Sequence, residues 1–368
     1  MLQRLFLFAI VTLFFSNCSK VKTDTLFTQL PSSDTGIDFI NEVKNGEDMN
    51  IFKYRNFYNG GGVAIGDINN DGLSDVYFTS NLGKNKLYLN KGNFKFEDIS
   101  VKAGVEGQKV WSTGVVVVDI NGDGLLDIYV CNAGNSKGSQ QNNELFINNG
   151  NLTFTEKAEA YNLADTGITT HAAFFDYDKD GDLDVYILNN SFIPVSSLNY
   201  SNKRELRDKD WDVADILKGG GDKLLRNDNG KFVDVSEAAG IYGSLIGFGL
   251  GVTVGDVNGD LFPDIYISND FYERDYLYIN NKNGTFSEKI QDWTMHLSQS
   301  SMGADMADVN NDGKADIFVT DMLPEPDDRL KTTTNFENYD LFTRKLNLDF
   351  YTQFMQNTLQ LNNGNQQF

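Results

Sequence analysis

Cysteine and histidine are almost missing from this chain, with two of each in 368 residues. That excludes a disulfide scaffold and leaves too few ligands for a Cys/His zinc site. Bases are also in short supply: 31 Lys and Arg face 52 Asp and Glu, a formal charge of −21. A chain this acidic repels phosphate backbones, so no nucleic-acid partner is expected. Proline is scarce as well, at 5 residues against 34 glycines, a balance that suits the many tight turns of an all-β protein. What is present argues for a core. Apolar residues make up 40% of the chain and aromatics 12%, which excludes a disordered tail. The crowded carboxylates need neutralising, and divalent cations are the natural means.

The N-terminus reads as an address. Arg4 precedes the apolar run Leu5–Phe15, which is too short to span a bilayer as a helix; that takes about 20 residues. The run ends in Phe15-Ser16-Asn17-Cys18, similar to a bacterial lipobox in which Cys18 becomes the lipidated first residue. The alternative is an ordinary cleaved signal with a chance cysteine. Residues 1–18 are therefore assigned to the signal and 19–58 to a tether and an N-terminal strand. Cys131 follows Asp127-Ile128-Tyr129-Val130 and is expected to be a buried strand residue.

Internal repetition organises the rest. Five nine-residue segments recur: Asp67–Asp75, Asp119–Asp127, Asp176–Asp184, Asp256–Asp264 and Asp308–Asp316. Each lies between two apolar runs and reads as the turn of a β-hairpin. A second hairpin follows, marked by Asn90, Asn148, Asn227, Asn280 and Asn362, each with a glycine two to four residues on. Two hairpins per unit of about 50 residues make a four-stranded blade, and blades in tandem make a β-propeller. The expected blades are 59–110, 111–168, 169–247, 248–299 and 300–368. Units three and five carry insertions, Ser191–Gly221 and Asp321–Gln356, with helix-like stretches at Arg204–Leu217 and Asp340–Met355. Phe368 stands where a fourth strand of unit five would begin. Either the segment around Phe27–Phe39 closes the ring, or the sequence is a fragment of a longer one.

The nine-residue segments carry oxygen ligands at positions 1, 3, 5 and 9, in the pattern of a calcium loop. In order the side chains are Asp67, Asn69, Asp71 and Asp75; Asp119, Asn121, Asp123 and Asp127; Asp176, Asp178, Asp180 and Asp184; Asp256, Asn258, Asp260 and Asp264; and Asp308, Asn310, Asp312 and Asp316. A backbone carbonyl completes each set, expected at Leu73, Leu125, Leu183, Phe262 and Lys314, although the seventh residue of loop three is Asp182. An EF-hand needs a Glu at position 12, but Phe78, Val130, Ile187, Ile267 and Val319 stand there, so the ion would sit in a turn between strands. Hard oxygen ligands in this number favour Ca²⁺ over Mg²⁺. Up to five ions are expected. The fourth loop is the doubtful one, because Leu261 replaces glycine at position 6 and is expected to weaken or prevent binding there.

These residues resemble the FG-GAP/VCBS repeat, the unit of integrin-α-type propellers. Tyr58-Asn-Gly-Gly-Gly62, Asp176-Tyr-Asp178, Asn269-Asp270-Phe271 and Asp321-Met-Leu-Pro324 resemble more closely the exported cartilage acidic protein family. The resemblance covers about residues 27–368. It implies an all-β propeller of at least five four-stranded blades with two helical insertions. Such proteins often continue into an ASPIC/UnbV domain, which is expected to lie outside this sequence. Some members carry an RNA-binding label, which the acidity here opposes.

The expected function is a calcium-stabilised binding or adhesion module that recognises an extracellular glycan or protein. The expected setting is the outer membrane or cell surface of a bacterium, with the lipid anchor as the only membrane contact. No catalytic set stands out. The alternatives are a propeller lyase or hydrolase acting on polysaccharide, or a purely structural repeat segment. Among single residues, His171 stands where the other blades have Gly62, Gly114, Gly251 and Gly303 and is expected to pack or hydrogen-bond there, the alternative being a ligand contact or an acid/base. Trp111 and Trp211 could stack on sugars, but Trp111 is expected in the core, and Trp211, in an insertion, is expected to be more open. By blade topology both insertions lie on the face opposite the calcium loops, where they are expected to build the recognition surface. Deleting either one is predicted to abolish ligand binding while leaving calcium-dependent melting intact; loss of folding instead would refute that placement.

Overall fold

A computed structural model describes residues 25–368 apart from 48–49, 53, 55, 134–141, 192, 194–206, 215–217, 219, 271–272, 334–338 and 349. The signal segment and Cys18 lie outside the described residues.

Alternating apolar runs broken by Asp-Asn-Gly turns fold into antiparallel meanders. Blade one is β1 (Val63–Gly66), β2 (Asp75–Phe78), β3 (Lys86–Asn90) and β4 (Phe96–Asp98). Blade two is β5 (Ser112–Val118), β6 (Asp127–Asn132), β7 (Glu144–Asn148) and β8 (Phe154–Glu156). Blade three is β9 (Ile168–Phe175), β10 (Asp184–Asn190), β11 (Lys223–Asn227) and β12 (Phe232–Asp234). Blade four is β13 (Gly249–Gly255), β14 (Asp264–Asn269), β15 (Tyr276–Asn280) and β16 (Phe286–Glu288). A short strand β17 (Leu297–Ser298) precedes blade five, which has three strands, β18 (Gly303–Ala307), β19 (Asp316–Thr320) and β21 (Thr358–Gln360). Within its insertion, β20 (Gln353–Phe354) pairs in parallel with β17.

The inner strands β1, β5, β9, β13 and β18 run side by side in chain order. Threonine hydroxyls tie each blade to the next. Thr79 donates to the Thr113 carbonyl, Thr113 to Thr169 (2.6 Å), Thr170 to Gly249 (2.7 Å) and Thr253 to Ala304 (2.7 Å). Glycine permits this approach: a Cβ on Gly62 would lie 2.6 Å from the Thr113 carbonyl oxygen, and one on Gly114 2.6 Å from that of Thr170. The hydrophobic core lies between blades. Tyr77, Leu87 and Ile99 of blade one pack with Val115, Ile128 and Phe146 of blade two, and the same sharing recurs along the array. Each blade is thus stabilised mainly by its two neighbours. Cys131 is fully buried in β6, and burial raises its thiol pKa.

The N-terminal strand expected within residues 19–58 does not form among the described residues. A short helix, Ser32–Thr35, ends in Gly36 (φ +80°), which lies against the Phe96 carbonyl of blade one. Beyond it, Asp38 accepts from the Tyr88 hydroxyl (2.8 Å), Phe39 stacks on Phe78, and Asn41 donates to Asn81 (2.8 Å). Side chains rather than a ladder hold this segment, which lies along blade one. The insertions also differ from expectation. In the first, the described residues show only a 3₁₀ turn at Asp208–Asp210. In the second, the helices are Asp327–Thr333 and Tyr339–Leu346, and the chain then returns to a strand instead of continuing helical to Met355.

The neck between the second and third strands is the same in every blade. An Asx side chain accepts from the backbone N–H at or just beyond the end of the second strand: Asn85 from Ser80, Asn143 from Asn132, Asp222 from Asn189, Asp275 from Asn269 and Asn357 from Asp321 (2.8–2.9 Å). In blades three and four the Asx is a buried aspartate that also accepts from a tyrosine hydroxyl, Tyr186 (2.9 Å) or Tyr266 (2.6 Å). Burial pushes Asp222 and Asp275 up to about 7. A carboxyl raised in the fold holds a proton that the unfolded chain has released, so stability falls as pH rises from about 4 to about 7. Asp222→Asn and Asp275→Asn, which install the side chain of blades one and two, should flatten that decline and raise the melting temperature at pH 7.5. Thermal melts at pH 4.5 and 7.5 check this.

Candidate metal centres

All five acidic segments connect the first strand of a blade to its second. In four of them the first Asp accepts from the backbone N–H groups of residues five and six. In loop one these are Asp71 and Gly72 to Asp67 (3.1 and 2.7 Å), and loops two, four and five repeat the arrangement on Asp119, Asp256 and Asp308. The third-position amides of Asn69, Asn121, Asn258 and Asn310 donate to Asp71, Asp123, Asp260 and Asp312. These bonds curl each turn and bring its oxygens together.

The ninth-position aspartates are buried. Each closes its loop with one oxygen and grips the third strand with the other. Asp75 accepts from Ile68 N–H (3.0 Å) and Asn90 N–H (2.7 Å). Asp127, Asp184, Asp264 and Asp316 make the equivalent pairs with Ile120 and Asn148, Tyr177 and Asn227, Val257 and Asn280, and Val309 and Asn362. Burial, with neighbouring carboxylates adding to it, pushes Asp127 up to about 6 and Asp184 and Asp264 up to about 7. The third-strand asparagines do more than turn a hairpin. Asn148, Asn280 and Asn362 donate to the Ile68, Tyr177 and Val257 carbonyls in the acidic loop of the preceding blade (2.7–2.8 Å). Their recurrence was visible in the sequence; this reach between blades was not.

Loop three differs in charge. Asp178 stands where the other loops have an asparagine, so no amide bridges to Asp180. Atoms of Asp176, Asp178 and Asp184 lie within 4.8 Å of one another. Asp176 Oδ1 and Asp182 Oδ1 are buried with no hydrogen-bond partner. Orphaned buried carboxylate oxygens call for a cation, so this donor set fits a metal ion. The carbonyl expected from Leu183 is corrected. Leu183 is the eighth residue, and its carbonyl accepts from Asn227 (3.2 Å). The seventh residue is Asp182, whose N–H donates to Asp180 as those of Leu73, Leu125, Phe262 and Lys314 donate to their own fifth-position carboxylates.

Loops four and five hold cations of their own. Lys282 lies 3.2 Å from Asp260, and Lys314 lies 2.9 Å from Asp312. Leu261 takes the left-handed turn (φ +70°) in which loops one to three and five have glycine, and it is 79% exposed. Of the single residues weighed, Trp211 is buried with Ile193, Leu245 and Ile246 and offers no open stacking face. Trp111 is buried against Phe57, and His171 lies in β9 opposite Leu188. Because an L-residue is strained at that φ, Leu261→Gly should stabilise the protein by about 1 kcal/mol in urea unfolding. No gain would mean that the loop relaxes without strain.

The FG-GAP-like repeat pattern matches residues 46–130, 133–187 and 256–319. Cartilage acidic protein 1 of Xenopus tropicalis is 34% identical over 139 residues, or 36% of this chain and 20% of that protein. The mouse protein is 31% identical over 140 residues and the human protein 30% over 143. The matched stretch thus spans about a fifth of the length of these relatives. Among solved structures, an Agrocybe aegerita lectin described as recognising non-reducing terminal N-acetylglucosamine aligns over 83% of this chain and 64% of its own. The TM-score is 0.43 and the identity 17%. The Vibrio cholerae biofilm matrix protein Bap1 aligns over 71% of this chain and 35% of its own, with a TM-score of 0.34 and 12% identity. With the repeat matched over more than half of its residues, and the acidic loop recurring at one place in five successive blades, the chain belongs to the FG-GAP-like repeat family.

Proposed function

We propose that this chain is a calcium-stabilised binding module of the bacterial cell envelope. In this reading it engages a glycan or protein through the face opposite its acidic loops and performs no catalysis. The observation that carries it is the convergence of Asp176, Asp178 and Asp184 beside the orphaned Asp176 Oδ1. A cluster of this kind is held by a hard divalent cation. The other loops would use the same positions: Asp67, Asn69, Asp71 and Asp75; Asp119, Asn121, Asp123 and Asp127; Asp256, Asn258, Asp260 and Asp264; Asp308, Asn310, Asp312 and Asp316. The ion supplies positive charge to a crowded turn. Five would reduce −21 to about −11.

The loops rank by what already balances them. Loop three has an unbridged carboxylate set and comes first. Loops four and five come last, because Lys282 and Lys314 already lie on their carboxylates. The clustered aspartates are accounted for by the turns, which supports a binding role over turnover. Export follows from the N-terminal segment, with Cys18 as the anchor. Among the described residues no helix is long and apolar enough to cross a membrane.

Calcium at about 100 times its Kd should add about 2.7 kcal/mol per site, seen as a melting temperature that rises with calcium and falls with chelator. Asp178→Asn should remove more of that rise than Asp260→Asn. A melting temperature indifferent to calcium would overturn the metal assignment.

A further inference from the structure

A cavity of about 500 Å³ opens at the axis of the array. It is lined by the segment before β1, by the starts of β5, β9 and β13, and by Met302 just before β18. The acidic loops leave the far ends of these strands, so the cavity lies on the opposite face. Its volume falls in the range of small-ligand sites.

Three observations set it apart. First, in a chain with 52 acidic residues, no Asp, Glu, Lys or Arg is among its described lining. Asparagine, threonine, histidine and aromatic groups take their place. Second, one wall is an aromatic stack. Tyr58 is 62% exposed and stands edge-on to Phe57, which packs on Trp111. Trp111 holds a left-handed backbone (φ +67°), a strained conformation for a bulky residue, fixed by bonds from Trp111 N–H to Asn81 and from Ala133 N–H to Trp111.

The third observation is His171. At its place the other blades have glycine, and at Gly62 and Gly114 no side chain fits. Blade three instead carries a half-buried imidazole whose Nδ1 is enclosed and has no partner, close against Gly114. A packing histidine normally finds a partner for such a nitrogen. Burial holds its pKa below the ordinary value, so the ring is neutral at physiological pH, and with Nδ1 enclosed it is Nε2 that is left to meet a ligand as donor or acceptor.

From this geometry we propose that the axial cavity binds one neutral sugar residue, with Tyr58 as the apolar platform and His171 as a hydrogen-bonding contact. A lining without Asp, Glu, Lys or Arg among its described residues, one exposed aromatic face and amide and imidazole groups are the chemistry that a polyhydroxylated ring with an apolar face requires. A charged ligand would have to leave water without a compensating charge among these side chains. The inference deepens the binding-module reading and rests on it.

The test is a titration of the full chain, in calcium, with glucose, galactose, mannose and N-acetylhexosamines, followed by tryptophan fluorescence and saturation-transfer NMR. Glucuronic acid is the charged comparison. A neutral sugar should bind with an affinity insensitive to salt. His171→Gly, which restores the residue of the other four blades, and Tyr58→Ala, at an exposed position, should each weaken it roughly tenfold. Both variants should keep the calcium-dependent melting shift. Failure of every neutral sugar while calcium still raises the melting temperature would overturn the proposal, as would a preference for glucuronic acid. Sugar binding unchanged in both variants would leave the module reading standing and remove this cavity from it. A missing calcium response would instead count against the metal assignment.

Discussion

Each blade depends on one buried carboxylate. The ninth-position aspartate accepts a backbone N–H from its own loop with one oxygen and a backbone N–H from the third strand with the other. It ties the acidic turn, the second strand and the third strand together at a point closed to solvent. A charge held there is costly unless it is balanced, and in blades one to four the burial that fixes the blade also raises the carboxyl's pKa. The architecture and the crowding of negative charge therefore have a single source. The turn needs the aspartates for its hydrogen bonds, and having gathered them it carries more negative charge than its own N–H groups can offset.

Neighbouring blades share this burden. Third-strand asparagines reach the loop of the preceding blade, and threonine hydroxyls cross from blade to blade along the inner strands. Apolar clusters fill the space between sheets. Stability in such an array is a sum of neighbour terms, so a perturbation at one loop is felt by its neighbour before the rest.

The two faces have different work. One carries the acidic turns, repeated with little variation. The other carries the Asx necks, the insertions and the axial cavity. The necks separate these roles, since an Asx side chain closes each blade whatever the length of chain beyond it. Insertions can then grow without disturbing the sheet, as expected of loops on a rigid scaffold. His171 shows the same freedom on a smaller scale, as a side chain added where the other blades have none.

Much of the fold was legible in the sequence because it is written locally. Strand, turn and ligand positions follow from residues at most nine apart, and five repetitions made the pattern unmistakable; the same spacing named the third-strand asparagines and the odd glycine position occupied by His171. Other features were not legible, because they depend on groups that meet only after blades stack. The reach of Asn148 to Ile68 spans 80 residues, and the cavity joins Tyr58, His171 and Met302 from distant parts of the chain. The N-terminal strand expected within residues 19–58 does not form among the described residues, and the segment after Ser32 is held by side chains of blade one. Trp211 was read as open and is buried by Leu245 and Ile246. The sequence by itself determined the blades and their acidic turns, since short-range hydrogen bonding specifies a turn. Only the tertiary structure decided which carboxylate oxygens are left without partners and which histidine nitrogen stays unpaired, because burial and partnership are set by neighbours distant in the chain.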